Sequence, residues 1–276
     1  MQDSVGDFVN DAELSLFERR TMSLEAASAA GLPGQFASFS QSGLRVTRAT
    51  DGDFGFLNTV EGVTEESIEF LPEVLARFAS PRDITVVATT PSQALVAQLR
   101  GRGFTPTPNR PVAFLRPGAV DPDEAPDHPS GLTPGADRWR IHEVSTAHDH
   151  ALFLDLLDSG YGAVQAVSAL IRAEHAVPEI RPFIASRDGR AQAAAAMSLH
   201  GTVAVLGGAA SLPTARGTGA QTALLAHRLR VAHALGASLV AASAAAGSPS
   251  LRNLARLGFT IVNRTAWVRA AAPIIG

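Results

Sequence analysis

The chain has no cysteine and no lysine among its 276 residues, so all 23 of its basic residues are arginine. Without cysteine there can be no disulfide, no thiolate metal site and no cysteine acyl-enzyme. Without lysine there is no Walker A loop, no kinase strand lysine and no Schiff base of the pyridoxal phosphate type. Aromatic residues are few, with one tyrosine and two tryptophans. No apolar run approaches the roughly 20 residues that a membrane-spanning helix needs, although 46% of the residues are hydrophobic. The first residues, Met1 to Asp7, are polar and acidic, unlike a signal peptide, so a cytoplasmic location without a membrane partner is expected.

Acid is the third absence. From Gly189 to the C-terminus there is no Asp or Glu, while eight arginines fall there: Arg190, Arg216, Arg228, Arg230, Arg252, Arg256, Arg264 and Arg269. Residues 1–137 hold 19 of the 26 acids, yet the net charge is only −3. A basic half beside an acidic half suggests that the basic half holds an anion. Nucleic acid is not expected as that anion. The arginines are dispersed and a pI near 6.2 gives no global attraction.

What is present points to a smaller anion. The run Leu212-Pro213-Thr214-Ala215-Arg216-Gly217-Thr218-Gly219-Ala220-Gln221-Thr222 follows a strand-like stretch, Thr202 to Ala210, and opens a helix-like stretch, Gln221 to Leu235. Unpaired N–H groups and the helix dipole favour a phosphate at such a junction, and glycine lets the backbone curl around it. A dinucleotide fingerprint does not fit, because Thr222 stands where the third glycine belongs and no acid follows to hold a ribose. Downstream, Gly236 closes the helix, and Ala237 to Ser243 reads as a strand. Ser248-Pro249 reads as an N-cap with proline in the first turn, opening a helix to Leu257, and Gly258-Phe259 leads into a strand-like tail, Thr260 to Ala270.

This order and the loop Arg216-x-x-Gly219-x-Gln221 resemble the cofactor half of the GNAT superfamily of N-acetyltransferases, with Gln221 where glycine or alanine is usual. The resemblance implies an α/β (α+β) fold, each domain a mixed, mainly antiparallel central sheet flanked by helices. It implies acetyl-CoA as co-substrate, held by Arg216, Gly217, Thr218, Gly219, Ala220, Gln221 and Thr222 at the diphosphate and by the backbone of Ala210, Ser211 and Leu212 along the pantetheine arm. An amine would then attack the thioester directly in a ternary complex.

A stretch rich in Pro, Gly and acid, residues 117–138, reads as a linker. Segments on either side echo one another. Leu99-Arg100-Gly101-Arg102-Gly103-Phe104-Thr105 parallels Leu254-Ala255-Arg256-Leu257-Gly258-Phe259-Thr260, and Asn109-Arg110 parallels Asn263-Arg264. This reads as an internal duplication: residues 1–116 as a degenerate GNAT-like domain and residues 139–276 as the domain that binds acetyl-CoA. In the first copy a strand, Phe54 to Glu61, meets a helix, Glu65 to Phe78, without the glycine loop and with two glutamates that would repel a diphosphate. That copy is either a wall of the acceptor pocket or a scaffold.

The residues that move protons are less legible. Relatives that carry a glutamate before the loop have it where this chain reads Val205-Leu206-Gly207-Gly208-Ala209, and the position of their tyrosine acid is Leu254 here. The candidates are Tyr161, with Asp158, in an expected turn between helices Ala151 to Leu157 and Ala163 to His175, and Glu174, with His175, at the end of the second helix. His200 is expected in a hairpin turn and Trp139 and Trp267 in the core. His148-Asp149-His150 lacks ligand spacing, so no metal is expected. The expected acceptor is a small-molecule amine, and the chain is expected to act as a monomer or homodimer. A CoA-binding protein without catalysis, a sensor or partner, is the alternative.

Overall fold

The computed structural model describes residues 5–78, 84–116 and 139–269. The expected linker, 117–138, lies outside the described residues.

The chain opens with α1 (Val5–Ala29), for which the sequence offered no signal. It is followed by a hairpin of β1 (Phe36–Gln41) and β2 (Leu44–Ala49), then β3 (Thr59–Glu61), α2 (Leu71–Leu75), β4 (Thr85–Thr89), α3 (Gln93–Gly101), β5 (Phe104–Thr107) and β6 (Val112–Leu115). The second half carries β7 (Arg140–Glu143), α4 (Ala147–Tyr161), α5 (Gln165–His175), β8 (Arg181–Arg187), β9 (Arg190–His200), β10 (Val203–Ser211), α6 (Ala220–Ala234), β11 (Leu239–Ser243), α7 (Pro249–Arg256), β12 (Thr260–Val262) and β13 (Arg264–Arg269). Both sheets are mixed and mainly antiparallel, each with one parallel pair, β3 with β4 and β10 with β11.

The two sheets exchange strands. The first runs β1-β2-β3-β4-β13-β5 and the second β12-β6-β11-β10-β9-β8-β7. Each half therefore gives its last strand to the other half's sheet, which corrects the single tail strand expected from Thr260 to Ala270. The crossing point is the echoed Asn-Arg pair: Arg110 N–H donates to Arg264 O at 2.9 Å, and Arg264 Nε donates to Arg110 O at 2.8 Å. Four successive buried residues in β6 mark a strand covered on both faces. Such a pattern is blind to which sheet supplies the neighbours.

Helix α1 lies between the sheets. Ala12 and Leu16 pack on Val112, Phe114, Val203, Val205, Leu239 and Ala241 of the second sheet. Glu13 and Arg20 face the first: Arg45 Nη2 meets Glu13 at 2.6 Å, and Arg20 grips Glu61 with two bonds of 2.7 and 2.5 Å. In the second sheet Ala193 to Ala196 are fully buried. Side chains that short let α4 on one face and α6 on the other approach the strand closely.

Three expected elements differ. Of Phe54 to Glu61 only Thr59–Glu61 is strand, and the first half belongs to a 3-10 turn, Gly52–Leu57, whose start is capped by Asp51 accepting from Asp53 N–H. The helix from Glu65 to Phe78 shrinks to the short turn Ile68–Phe70 and α2. Helix α4 runs on through Asp158 and Tyr161, so both lie in its last turn rather than in a loop, and Gly162 closes it with φ +61°. A left-handed glycine is the usual way to end a helix.

Candidate active site

The site is built on a fork between β10 and β11. Their parallel ladder pairs Val203 with Leu239 through Leu206 with Ala242 and goes no further, although β10 continues to Ser211. A bulge bends β10 away: its register against β9 passes from Gly207 opposite Ala196 to Ala210 opposite Ala194, one residue in excess. Gly208 makes the bulge possible. Its φ is +53°, and a Cβ there would collide with the imidazole Nε2 of His175.

The expected cofactor loop lies at the open end. After Leu212, residues Pro213–Ala215 form a 3-10 turn, and Gly217 and Gly219 take φ of +76° and +89°. Gly219 is the N-cap of α6 and brings no capping side chain. The helix ladder starts with Ala223 N–H to Gly219 O at 2.9 Å. The amides before it are the unpaired donors of a helix start, at the positive end of a 15-residue dipole. The fork and this uncapped turn are together what a diphosphate with a narrow arm requires, so these residues fit coenzyme A.

Side chains hold the loop in place. Trp139 Nε1 donates to Thr218 O at 3.1 Å, so Trp139 braces the loop as well as packing on the core. Arg216 Nη2 donates to Gly160 O at 3.2 Å, tying the loop to the end of α4. Gln221 Nε2 donates to Ser211 Oγ at 2.9 Å, which gives the unusual residue of the motif a place in the fork. Leu212 keeps less of its backbone free. Its N–H is spent on Gln192 O at 2.9 Å, while its carbonyl accepts from Ala215 N–H at 2.9 Å and keeps a second lone pair, so only an acceptor role toward a pantetheine arm is left to its backbone.

The arginines divide. Arg228 is buried, with Nη1 donating to Ala196 O at 2.9 Å and Gly207 O at 3.4 Å, and burial lowers its pKa to about 10. Arg264 is also buried, against Glu61. Neither is placed to meet a ligand, which removes two of the eight from the basic set. Arg228 instead backs the bulge from the α6 side.

Three helices bring side chains to the stretch of β10 that leaves β11. Tyr161 of α4 has its hydroxyl near the Ala209 backbone. Burial of that hydroxyl, aided by the Glu174 charge, pushes its pKa up to about 12. Glu174 of α5 accepts from Arg19 Nη2 and Nε, both on Oε1, at 2.6 and 3.0 Å. Burial raises the Glu174 pKa, but the Arg19 charge, His175 and the hydrogen bonds from Arg19 and Ser23 together outweigh it and hold the carboxyl below its ordinary value. His175 Nδ1–H donates to Ile171 O at 2.8 Å, leaving a buried, unpartnered Nε2 against Gly208. Burial lowers its pKa, so the ring is neutral with a lone pair facing the bulge. Arg19 also donates to Ser198 Oγ at 2.8 Å, and Ser198 meets His200 Nε2 at 2.9 Å. Arg19 lies on the helix that the sequence did not reveal, so no signal could have joined it to Glu174.

Tyr161 and Glu174 line one cavity of about 440 Å³ together with Val164, Val167, Leu170 and, from the first half, Phe56. Asp158, the other turn candidate, is instead occupied with Arg172 at 2.6 Å and Ser168 at 2.8 Å. Among the described residues no group of acids and histidines could hold a metal ion.

No protein-family model matches the chain, and no curated protein matches its sequence. Solved structures do match its fold. A GCN5-related N-acetyltransferase from Kribbella flavida is 17% identical, with 94% of this chain and 96% of that one covered at a TM-score of 0.58. One from Sphaerobacter thermophilus is 14% identical, with 93% of each chain covered at a TM-score of 0.57. A tandem GNAT protein from the clavulanic acid biosynthesis pathway is 16% identical, with 95% and 96% covered at a TM-score of 0.52. The chain thus has the GNAT fold, in the two-domain form that spans nearly the whole of each of these structures.

Proposed function

We propose that the chain is an acyl-CoA-dependent N-acetyltransferase that moves an acetyl group from acetyl-CoA to the amine of a small molecule. The observation that carries this reading is the fork at Leu206, opening onto the left-handed Gly217 and Gly219 and the uncapped start of α6. Acetyl-CoA supplies the acetyl group as a thioester, which a neutral amine attacks with release of the sulfur. The chain's own part is to bring the two together and to manage protons. Tyr161 stays protonated at neutral pH and stands beside Ala209, where it can hand its proton to the departing sulfur. Glu174 stays ionised and draws the substrate ammonium into the cavity. One proton goes to solvent over the whole reaction, and Tyr161 is reprotonated from the proton the nitrogen loses.

In this reading residues 139–276 bind acetyl-CoA, while residues 1–116 bind none and wall the acceptor cavity through Phe56. A cytoplasmic location is part of the proposal. Among the described residues no helix is long and apolar enough to cross a membrane. A second reading, CoA binding without turnover, is favoured by one observation: Glu174 is already ion-paired with Arg19 and is a weak base. Titrating acetyl-CoA by calorimetry and then following thiol release with an amine panel separates the two. Release with any amine supports catalysis. Binding without release across the panel supports the second reading, and no binding overturns both.

A further inference from the structure

We propose that the acceptor cavity selects amines with apolar bodies, aryl-alkyl or alkyl primary amines, over amino sugars and amino acids. This rests on the acetyl-transfer reading for its chemistry but not for its binding.

The cavity gathers apolar surface that is left uncovered. Val164, Phe56 and Tyr161 are 68%, 51% and 50% exposed, and all three line it. They come from both halves of the chain: Phe56 from the Asp51-capped turn, Tyr161 from the end of α4 and Val164 from the start of α5. Exposed apolar side chains converging on one concavity mark a place that binding covers. The volume, about 440 Å³, suits a small molecule rather than a protein segment.

Polar partners in the lining are few. Among the described residues Glu174 is its one charged residue and Tyr161 its one side-chain hydroxyl. A polyhydroxylated acceptor would surrender its hydration without replacement hydrogen bonds, which is costly. An acceptor carboxylate would also need a cation. Two guanidiniums on the neighbouring helices are engaged, Arg19 with Glu174 and Ser198, and Arg172 with Asp155 and Asp158, and Arg216 is tied to Gly160 O in the cofactor loop. An ammonium, by contrast, has a recognisable place. Both Arg19 bonds end on Oε1 of Glu174, so its second oxygen takes none from Arg19, and Phe56 and Tyr161 put two aromatic rings, which attract cations, in the same lining. Because Tyr161 also stands at Ala209, an amine held at Glu174 lies on the fork side of the cavity, and its apolar body extends toward Val164 and Phe56.

The test uses the full chain. Binding of 2-phenylethylamine, hexylamine, glucosamine and glutamate is measured by calorimetry without acetyl-CoA, and turnover is then followed by thiol release. The same is done for Val164→Asn and Phe56→Ala. Val164 is the N-cap of α5 and caps nothing with its own side chain, so asparagine there favours the helix while removing the apolar wall. The expected result is that the two apolar amines bind at least 10-fold more tightly than glucosamine or glutamate. Each variant should raise KM for 2-phenylethylamine about 10-fold with acetyl-CoA affinity unchanged. Glucosamine or glutamate binding as tightly as 2-phenylethylamine, or an unchanged KM in both variants, overturns the proposal. Selective binding of the apolar amines without any uptake of acetyl-CoA would sustain the cavity's preference and overturn the acetyl-transfer reading instead.

Discussion

The two parallel strand pairs, β3 with β4 and β10 with β11, occupy equivalent places in their sheets and have been put to opposite uses. In the first, pairing runs from Thr59 opposite Thr85 to Glu61 opposite Val87 and is extended by Val63 N–H to Val87 O at 3.3 Å. Behind it sits a buried charge cluster in which Glu61 meets Arg20 and Arg264, and Arg264 also faces Glu13. In the second pair, the ladder stops at Leu206 and the bulge at Gly207 to Ala210 carries β10 away. Val205 there packs among apolar residues of α1 and β11. The same topology is therefore closed where the strand is followed by Gly62 and a helix of five residues, and open where it is followed by two left-handed glycines and a helix of 15. A fold supplies a fork. The residues after the strand decide whether a ligand can use it.

The largest effect should come from breaking the closed side. Glu61→Ala leaves Arg20 and Arg264 without their shared carboxylate in a buried place, and such a loss costs about 3–5 kcal/mol. Chemical denaturation checks this, and acetyl-CoA affinity of the folded fraction should be unchanged, because the open fork is elsewhere. Next, Tyr161→Phe should lower kcat about 100-fold with little change in KM, as steady-state kinetics would show. Because its pKa is pushed up to about 12, loss of the Tyr161 proton should not limit the rate in ordinary alkaline buffers. Third, Gly219→Val places a β-branched side chain at φ +89° in the loop and should weaken acetyl-CoA about 30-fold by calorimetry, with the stability of the first half preserved.

A smaller effect concerns pH. Burial, with the Arg19 charge, lowers the His200 pKa from 6.5 to about 4. A histidine held neutral in the fold favours the folded state fully above its unfolded pKa, and that contribution is lost as pH falls from about 6.5 to about 4. After screening by the solvent around the ring, the loss should be of order 1–2 kcal/mol. His200→Gln should flatten the stability profile in that window. The decline attached to Glu61 should remain, because its depressed pKa protects the fold above its ordinary value and fails below it. That separates the Arg19 side of α1 from the Arg20 side.

Much of the open half was legible in the sequence because local rules specify it. Ser248 caps α7 by accepting from Leu251 N–H, with Pro249 in the first turn. The strand, glycine loop and helix at Val203 to Ala234 lie within a residue or so of their expected bounds. What was hidden depends on contacts distant in sequence. Helix α1 carries little amphipathic pattern because both its faces are covered, one by apolar strands and one by carboxylates and arginines. The strand exchange was hidden because β6 and β13 have equivalent surroundings in either sheet. Of the groups proposed to move protons, the sequence could name Tyr161 and Glu174, but only the fold shows Arg19 on Glu174 and the lone pair of His175 against Gly208.

Hydrogen exchange with and without coenzyme A tests the contrast between the forks most directly. The account predicts slowed exchange at the amides of Gly217 to Thr222 and of Gly207 to Ala209, and no change from Gly62 to Glu66. Protection at Gly62 to Glu66, or none at Gly217 to Thr222, would contradict it.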